Sequence, residues 1–397
     1  MMSVWSSLVG QDAAVAKLSE AAASARAIVA SRGSGRTSDE ARSMSHAWLI
    51  TGPPGSGRSV AARAFAAALQ CTGATPGCGQ CPGCRTTMGR TNADVLFAAT
   101  ETSIINVETA RSLVLQAQSS PSQGLWRVIV VEDADRLGES GANALLKAIE
   151  EPPEHTVWLL CAPSPEDMIA TIRSRCRHLG LRIPTASAVA DLLVREGVAT
   201  PEVALEAARA AQSHIGLARA LARDPQMRER RRAIITAPAS VRSVGEAVMA
   251  ADRLLETAKA QADAQVSERN AREKAELMRQ LGMDEGESAT KASRTMIRQL
   301  EEDQKRRSKR ALTDAIDRAL IDLLAIYRDV LMVQVGGDGE LINTDLSDLV
   351  HEIAQDSTPR QTLARVDHIE TARKRLVSNG NPLLVLEDMA ISLRPQA

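Results

Sequence analysis

Three runs in the chain are apolar without alternation: HAWLITG (46–52), RVIVVED (127–133) and TVWLLCAP (156–163). A half-solvated strand alternates apolar and polar residues, whereas a strand covered on both faces stays apolar, so these runs predict buried strands of a parallel sheet. Helical spacing fills the intervals. It runs through residues 7–30 and RSVAARAFAAALQ (58–70), and ESGANALLKAIEEPP (139–153) reads as a helix stopped by two prolines. Strands alternating with helices predict an α/β layer architecture up to about residue 183. After Pro184 the strand signals cease. Residues 185–223 form a small helical set that includes ASAVADLLVREGV and PEVALEAARAAQ, and the pattern stays helical from about 240 to 397.

Two stretches interrupt the periodicity. RGSGRTSDEARSMS (32–45) is Gly, Ser and charge, and reads as a mobile surface loop. Residues 256–311 carry dense charge of both signs around a GMDEGESA break (282–289), which predicts two solvated helical arms. The basic run KRRSKR (305–310) is able to touch phosphate, but a charge run is usually a wet face.

Composition narrows the class. With 44% apolar residues in 397, the chain can bury two or three cores. Four Trp, two Phe and one Tyr leave those cores to Ala, Leu, Val and Ile. A formal net charge of −1 argues against a general nucleic-acid coat. MMSVWSSLVGQDA lacks the basic-then-apolar layout of a secretory signal, and no apolar run approaches a membrane span, so a cytoplasmic protein with no membrane partner is expected. Four of the six cysteines are clustered, which in a reducing compartment points to metal.

Candidate chemistry sits between the predicted elements. GPPGSGRS (52–59) places Gly52, Gly55 and Gly57 as in the phosphate-binding loop G-x-x-x-x-G-K-[ST], between a strand and a helix. Backbone N–H groups in such a turn cradle phosphate oxygens, and the helix N-terminus adds positive potential. Ser59 keeps the magnesium-binding hydroxyl, but Arg58 stands where lysine would reach the β- and γ-phosphates. Arginine keeps the charge and not the shape. The loop's fold is therefore expected to survive, while binding of ATP and Mg²⁺ is left open. At the end of the 127–133 strand, a magnesium-binding aspartate followed by a water-positioning glutamate is the working arrangement. Here Glu132 and Asp133 come in the reverse order, and a displacement of about 1 Å is enough to cut catalysis steeply. The plain alternative is two surface acids ending a strand.

CTGATPGCGQCPGC spaces Cys71, Cys78, Cys81 and Cys84 as C-x6-C-x2-C-x2-C. Thiolates two residues apart chelate one ion from a tight turn, and four of them leave no open position, so a structural Zn²⁺ is expected rather than free loop thiols. Cys161 and Cys176 stand alone in apolar settings and read as core residues. In TIRSRC (171–176), Arg175 taken by itself reads as an ion-pair partner or a helix cap.

Together these residues resemble the bacterial clamp-loader branch of the AAA+ ATPases. The likeness runs through SSLVGQDAAV, the glycine loop, the cysteine insertion, ANALLKAIEEPPEHTVWLL, Ser174-Arg175-Cys176 and NGNPLLVLEDM. It implies an α/β plus all-α chain: a RecA-like parallel sheet domain over 1–184 with a zinc module at about 71–90, a helical lid over 185–240, and a helical collar over 241–397 carrying the charged insertion at about 256–311. It also implies partners, namely motor subunits and a clamp-opening delta subunit in a five-subunit ring, a sliding clamp, and primer-template DNA reached through the assembly. The chain departs from the motor pattern at Arg58, at the swapped Glu132 and Asp133, at Ala162 and Pro163 where a Thr or Asn sensor belongs, and at Gly216 where a phosphate-sensing arginine belongs. Those departures imply a member with no ATPase or polymerase activity of its own. The intact SRC residues imply that Arg175 crosses a subunit boundary to the γ-phosphate next door, where an arginine finger is worth roughly 10³–10⁵ in rate.

Two other readings stay open. An active ATPase motor subunit would turn over ATP by itself and lose that activity in Ser59→Ala. A zinc-ribbon DNA-binding protein on a decayed ATPase fold would need a basic, aromatic-rich surface near the cysteines, where only Arg85 and Arg90 lie close by.

Overall fold

The computed structural model describes residues 3–31, 43–98, 105–281 and 291–394. Most of the expected surface loop at 32–45 and the expected break at 282–289 lie outside the described residues. The chain divides into two compact units, Met1–Arg219 and Ala220–Ala397.

In chain order the first unit holds α1 (Asp12–Ala30), β1 (Ala47–Thr51), α2 (Arg58–Leu69), α3 (Pro82–Met88), β2 (Val95–Ala98), α4 (Val107–Ala117), β3 (Arg127–Val131), α5 (Glu139–Glu150), β4 (Thr156–Ala162), α6 (Ala170–Arg173), β5 (Arg177–Gly180), α7 (Ala186–Arg195) and α8 (Pro201–Ala210). α9 (Ile215–Arg223) begins in this unit and ends in the next. The strands form one parallel sheet in the order β2-β3-β4-β1-β5. Both faces are covered, which is why the strand sequences do not alternate. Trp48, Ile50, Val128, Val130, Leu159 and Cys161 face α1 and α2. Leu49, Ile129, Val131, Trp158 and Leu160 face α4, α5 and α6 on the other side. Trp48 meets Phe65 of α2 edge to face, with centroids 5.3 Å apart.

β1 lies between β4 and β5, so the strand order reverses beside it, and the carboxyl ends of β1, β3 and β4 open on a shared rim. Ligands of open α/β sheets bind at such a reversal. The glycine loop follows β1, Glu132 and Asp133 follow β3, and Pro163 follows β4.

β2 and β5 were not predicted. Four residues each, VLFA and RHLG, are too short for a periodic signal, and β5 pairs only with β1 at the sheet edge, where three of its four residues are exposed.

The second unit is helical: α10 (Pro225–Ser240), α11 (Val244–Gln280), α12 (Lys291–Gln334), α13 (Ser347–Asp356), α14 (Pro359–Val377) and α15 (Pro382–Ser392). Its core joins Leu320, Leu323, Ile326 and Val330 of α12 to Ile369 of α14 and Leu386 of α15. A buried polar latch crosses it. Arg231 donates to Asp322 (3.0 Å) and to Asn343 Oδ1 (2.6 Å), while Asn343 donates its side chain and backbone N–H to Asp329. The charged stretch lies on α11 and α12, where apolar contact thins to Ala262, Val266, Ala311 and Leu312. Beyond that, polar bonds join the pair, with Arg307 reaching Asn270 (2.7 Å) and Glu273 (2.9 Å).

Candidate functional site

The four clustered cysteines come together. Cys71 follows α2, Cys78 sits in the turn after it, Cys81 caps α3 by accepting the Cys84 N–H, and Cys84 lies in the first turn of that helix. Their Sγ atoms all lie within 4.8 Å of one another, and those of Cys71 and Cys81 are 3.8 Å apart. A tetrahedral ion with Zn–S bonds of about 2.3 Å needs sulfurs about 3.8 Å apart, so the quartet fits zinc, with no position left for substrate. Burial opposes ionisation of Cys81, but hydrogen bonds from Cys84 and Thr72 outweigh it and bring the thiol down to about 6, while burial pushes the Cys84 thiol up.

Nothing in the sequence marked how the chain start grips this module. Ser3 Oγ and the Val4 N–H both donate to Gly77 O (3.1 and 3.0 Å), and Arg26 of α1 donates to Ala74 O and Cys71 O (2.8 and 2.9 Å). Farther on, Gln11 donates to Ser56 O in the glycine loop (3.3 Å) and to Arg182 O (2.6 Å), and accepts the Arg182 N–H. Residues 3–11 therefore touch the cysteine module at one end and the glycine loop at the other.

The loop keeps its turn. Gly55 and Gly57 hold φ near +90°, and Gly57 caps α2, so the helix N-terminus opens into the loop. Gly52 donates its N–H to Pro163 O (3.1 Å), and Ser59 sits in the first turn of α2. The charged groups are engaged elsewhere. Arg58 folds back and donates to Gly52 O. A Cβ on Gly55 would lie 2.8 Å from His214 Cα, so the turn before α9, which also carries Gly216, packs directly against the loop. Ser56 Oγ is buried with no hydrogen-bond partner among the described residues.

Glu132 and Asp133 lie just past the end of β3. Glu132 accepts from Arg90 (2.5 Å), whose guanidinium stacks on the Phe97 ring at 4.9 Å. Asp135, not singled out from the sequence, lies two residues beyond Asp133. Burial pushes its carboxyl up, the Asp133 charge adds to this, and the Arg136 and Arg58 charges oppose it. Ala162 ends β4 with no polar group to offer. Cys161 is fully buried and its thiol is pushed up to about 12 by that burial. Cys176 is half-buried against the same sheet.

Arg175 lies on the surface just after α6, away from the loop in sequence and joined to α5. Its Nε donates to Glu150, the last residue of α5, and its Nη1 donates to Thr171 O (2.8 Å) and Ser174 Oγ (3.3 Å). Glu150 had no signal of its own within the EEPP run.

Comparisons with known proteins bear on the same region. Residues 36–185 match the family model described as "DNA polymerase III, delta subunit". Over 162 residues the chain is 35% identical to the DNA polymerase III subunit gamma/tau of Mycobacterium tuberculosis, covering 39% of this chain and 28% of that protein. Over 165 residues it is 34% identical to the DNA polymerase III subunit delta' of Pseudomonas aeruginosa, covering 41% and 50%. The match thus spans at most about half the length of these relatives. Among solved structures, a gamma subunit-related protein of Thermotoga maritima aligns over 87% of this chain and 93% of its own at 16% identity, with a TM-score of 0.42. No helix among the described residues is long and apolar enough to cross a membrane. Over residues 36–185 this chain is thus similar to DNA polymerase III subunits.

Proposed function

We propose that the chain is the delta-prime-type subunit of a bacterial clamp loader, which helps place a sliding clamp on primed DNA without hydrolysing ATP itself. In this reading it sits in a five-subunit ring beside motor subunits and a delta subunit, its sheet domain spans 1–184, a lid spans 185–240 and a collar spans 241–397. The Cys71–Cys84 module holds a structural Zn²⁺. Arg175 reaches a neighbour's ATP, where its guanidinium stabilises charge on the transferring phosphoryl group.

The observation that carries this reading is a contrast between two arginines. Arg58 is folded onto its own loop, donating to Gly52 O, and Glu132 is tied to Arg90, so both already hold a partner within the chain. Arg175 instead stands half exposed on the surface, where a second subunit can meet it. The test is a loader reconstituted with Arg175→Ala. Assembly should persist while DNA-stimulated ATPase falls sharply, and unchanged turnover would refute the trans role.

The gamma/tau relatives at 35% identity favour a second reading, an active motor subunit with an arginine in its phosphate loop. That reading requires ATP turnover by the isolated chain, lost in Ser59→Ala. Calorimetric titration with ATP and a phosphate-release assay on the same sample separate the two.

A further inference from the structure

We infer that Glu150 is a positioning residue for Arg175: it parks the guanidinium so that one edge, that of Nη2, is held out for a neighbour's phosphate. The inference rests on the proposed trans role of Arg175.

A guanidinium carries five N–H donors in a rigid plane. In Arg175 the Nε–H goes to Glu150, and Nη1 goes to Thr171 O and Ser174 Oγ. Among the described residues Nη2 bonds nothing, so its two N–H groups remain available to an incoming anion. Three separate anchors on one planar group fix both its rotamer and its roll, which a single ion pair does not do.

The anchors themselves are well seated. Glu150 ends α5, and the residue before it, Ile149, is fully buried against the sheet. Thr171 lies in α6 next to Ile172, which is fully buried in the same cluster. Both anchors thus belong to elements packed on one face of the sheet, and the guanidinium inherits its position from that packing. The next acid, Glu151, caps α5 and is exposed, and no hydrogen bond or ion pair joins it to Arg175 among the described residues.

The chemical consequence follows from preorganisation. A long, free arginine must lose rotamers and shed water as subunits dock, and a donor misplaced by about 1 Å can lose about 10² in rate. Parked on Glu150, Arg175 meets the phosphate already oriented.

The experiment uses the full loader, reconstituted from this chain with its motor and delta subunits, and single-turnover hydrolysis of ATP on primed DNA. Arg175→Ala should abolish the hydrolysis that depends on this chain. Glu150→Ala should lower the rate constant of that phase about tenfold with the ATP concentration for half-saturation unchanged. Glu150→Gln, which keeps an oxygen acceptor for Nε–H, should recover to within about twofold of wild type, and Glu151→Ala should match wild type. A wild-type rate in Glu150→Ala beside a dead Arg175→Ala overturns the positioning role and leaves the finger standing. A wild-type rate in Arg175→Ala overturns both. Loss of ring assembly or of thermal stability in Glu150→Ala, unrescued by Gln, makes Glu150 a structural residue and also overturns the proposal.

Discussion

Replacing Gly77 by alanine tests whether the chain start braces the cysteine module. Gly77 sits at φ +82°, and a Cβ there would lie 2.8 Å from both Trp5 Nε1 and Val4 Cγ2. Two penalties therefore add. A non-glycine residue in the left-handed region costs roughly 1–2 kcal/mol. Overpacking against the Val4–Trp5 segment adds about 1–3 kcal/mol, because Val4 is buried in the main core and its N–H is bonded to Gly77 O. Gly197 supplies the control. It has φ +67° with nothing within 4 Å of the added carbon, so Gly197→Ala carries the backbone penalty alone. The expected difference between the variants is the packing component, about 1–3 kcal/mol.

All four tryptophans, Trp5, Trp48, Trp126 and Trp158, lie in the first unit, so their fluorescence reports its unfolding without a contribution from the second. With a urea slope of about 3 kcal/mol/M, Gly77→Ala should unfold about 0.3–1 M earlier than Gly197→Ala. A chelator should shrink that gap, because a module without metal no longer holds Gly77 against Trp5. Equal midpoints for the two variants in the presence of zinc would refute the brace, since both then lose only backbone freedom.

Other outcomes follow from the same structure. Cys81→Ser should release about one zinc per chain, measured by elemental analysis of purified protein, because three thiolates no longer close the tetrahedron. Arg58→Lys should not restore ATP turnover in a phosphate-release assay, because Glu132 stays paired with Arg90 and Ala162 supplies no polar group. Arg231→Met should cost the second unit about 3–5 kcal/mol by circular dichroism in urea, since it strands buried Asp322 and Asn343. Asp94 is buried, which alone would raise its pKa, but the N–H groups of Ser122, Gln123 and Gly124 and the Ser122 hydroxyl outweigh this and hold it low. A depressed folded pKa contributes stability above the unfolded value of about 3.9 and loses it as pH falls through the folded one. Wild-type tryptophan fluorescence should therefore report a steeper loss of stability below about pH 4 than Asp94→Asn does.

What the sequence disclosed and what it withheld divide along a physical line. Periodicity is a local property, so β1, β3, β4, α2 and α5 were legible from apolar spacing alone, and the cysteine quartet from short-range chelate geometry. Partnerships between distant side chains have no local signature. Gln11 reaching Ser56 and Arg182, Arg90 holding Glu132, and Glu150 holding Arg175 exist only once the sheet has brought α1, α3, α5 and α6 to its faces and rim.

That division bears on how the degenerate loop should be read. Swapped letters in a motif show only that an expected residue is missing; they do not say what its replacement does. Here Arg58 and Glu132 each have a partner inside the first unit, Gly52 O for the one and Arg90 for the other. Arg175 also has partners, yet they occupy only Nε and Nη1 and leave Nη2 without one among the described residues. Arg175 has three of its N–H groups anchored to residues of α5 and α6 or the turn that follows, and two left to bind an anion. Whether that seating serves a neighbour's phosphate is what Glu150→Gln against Glu150→Ala measures directly.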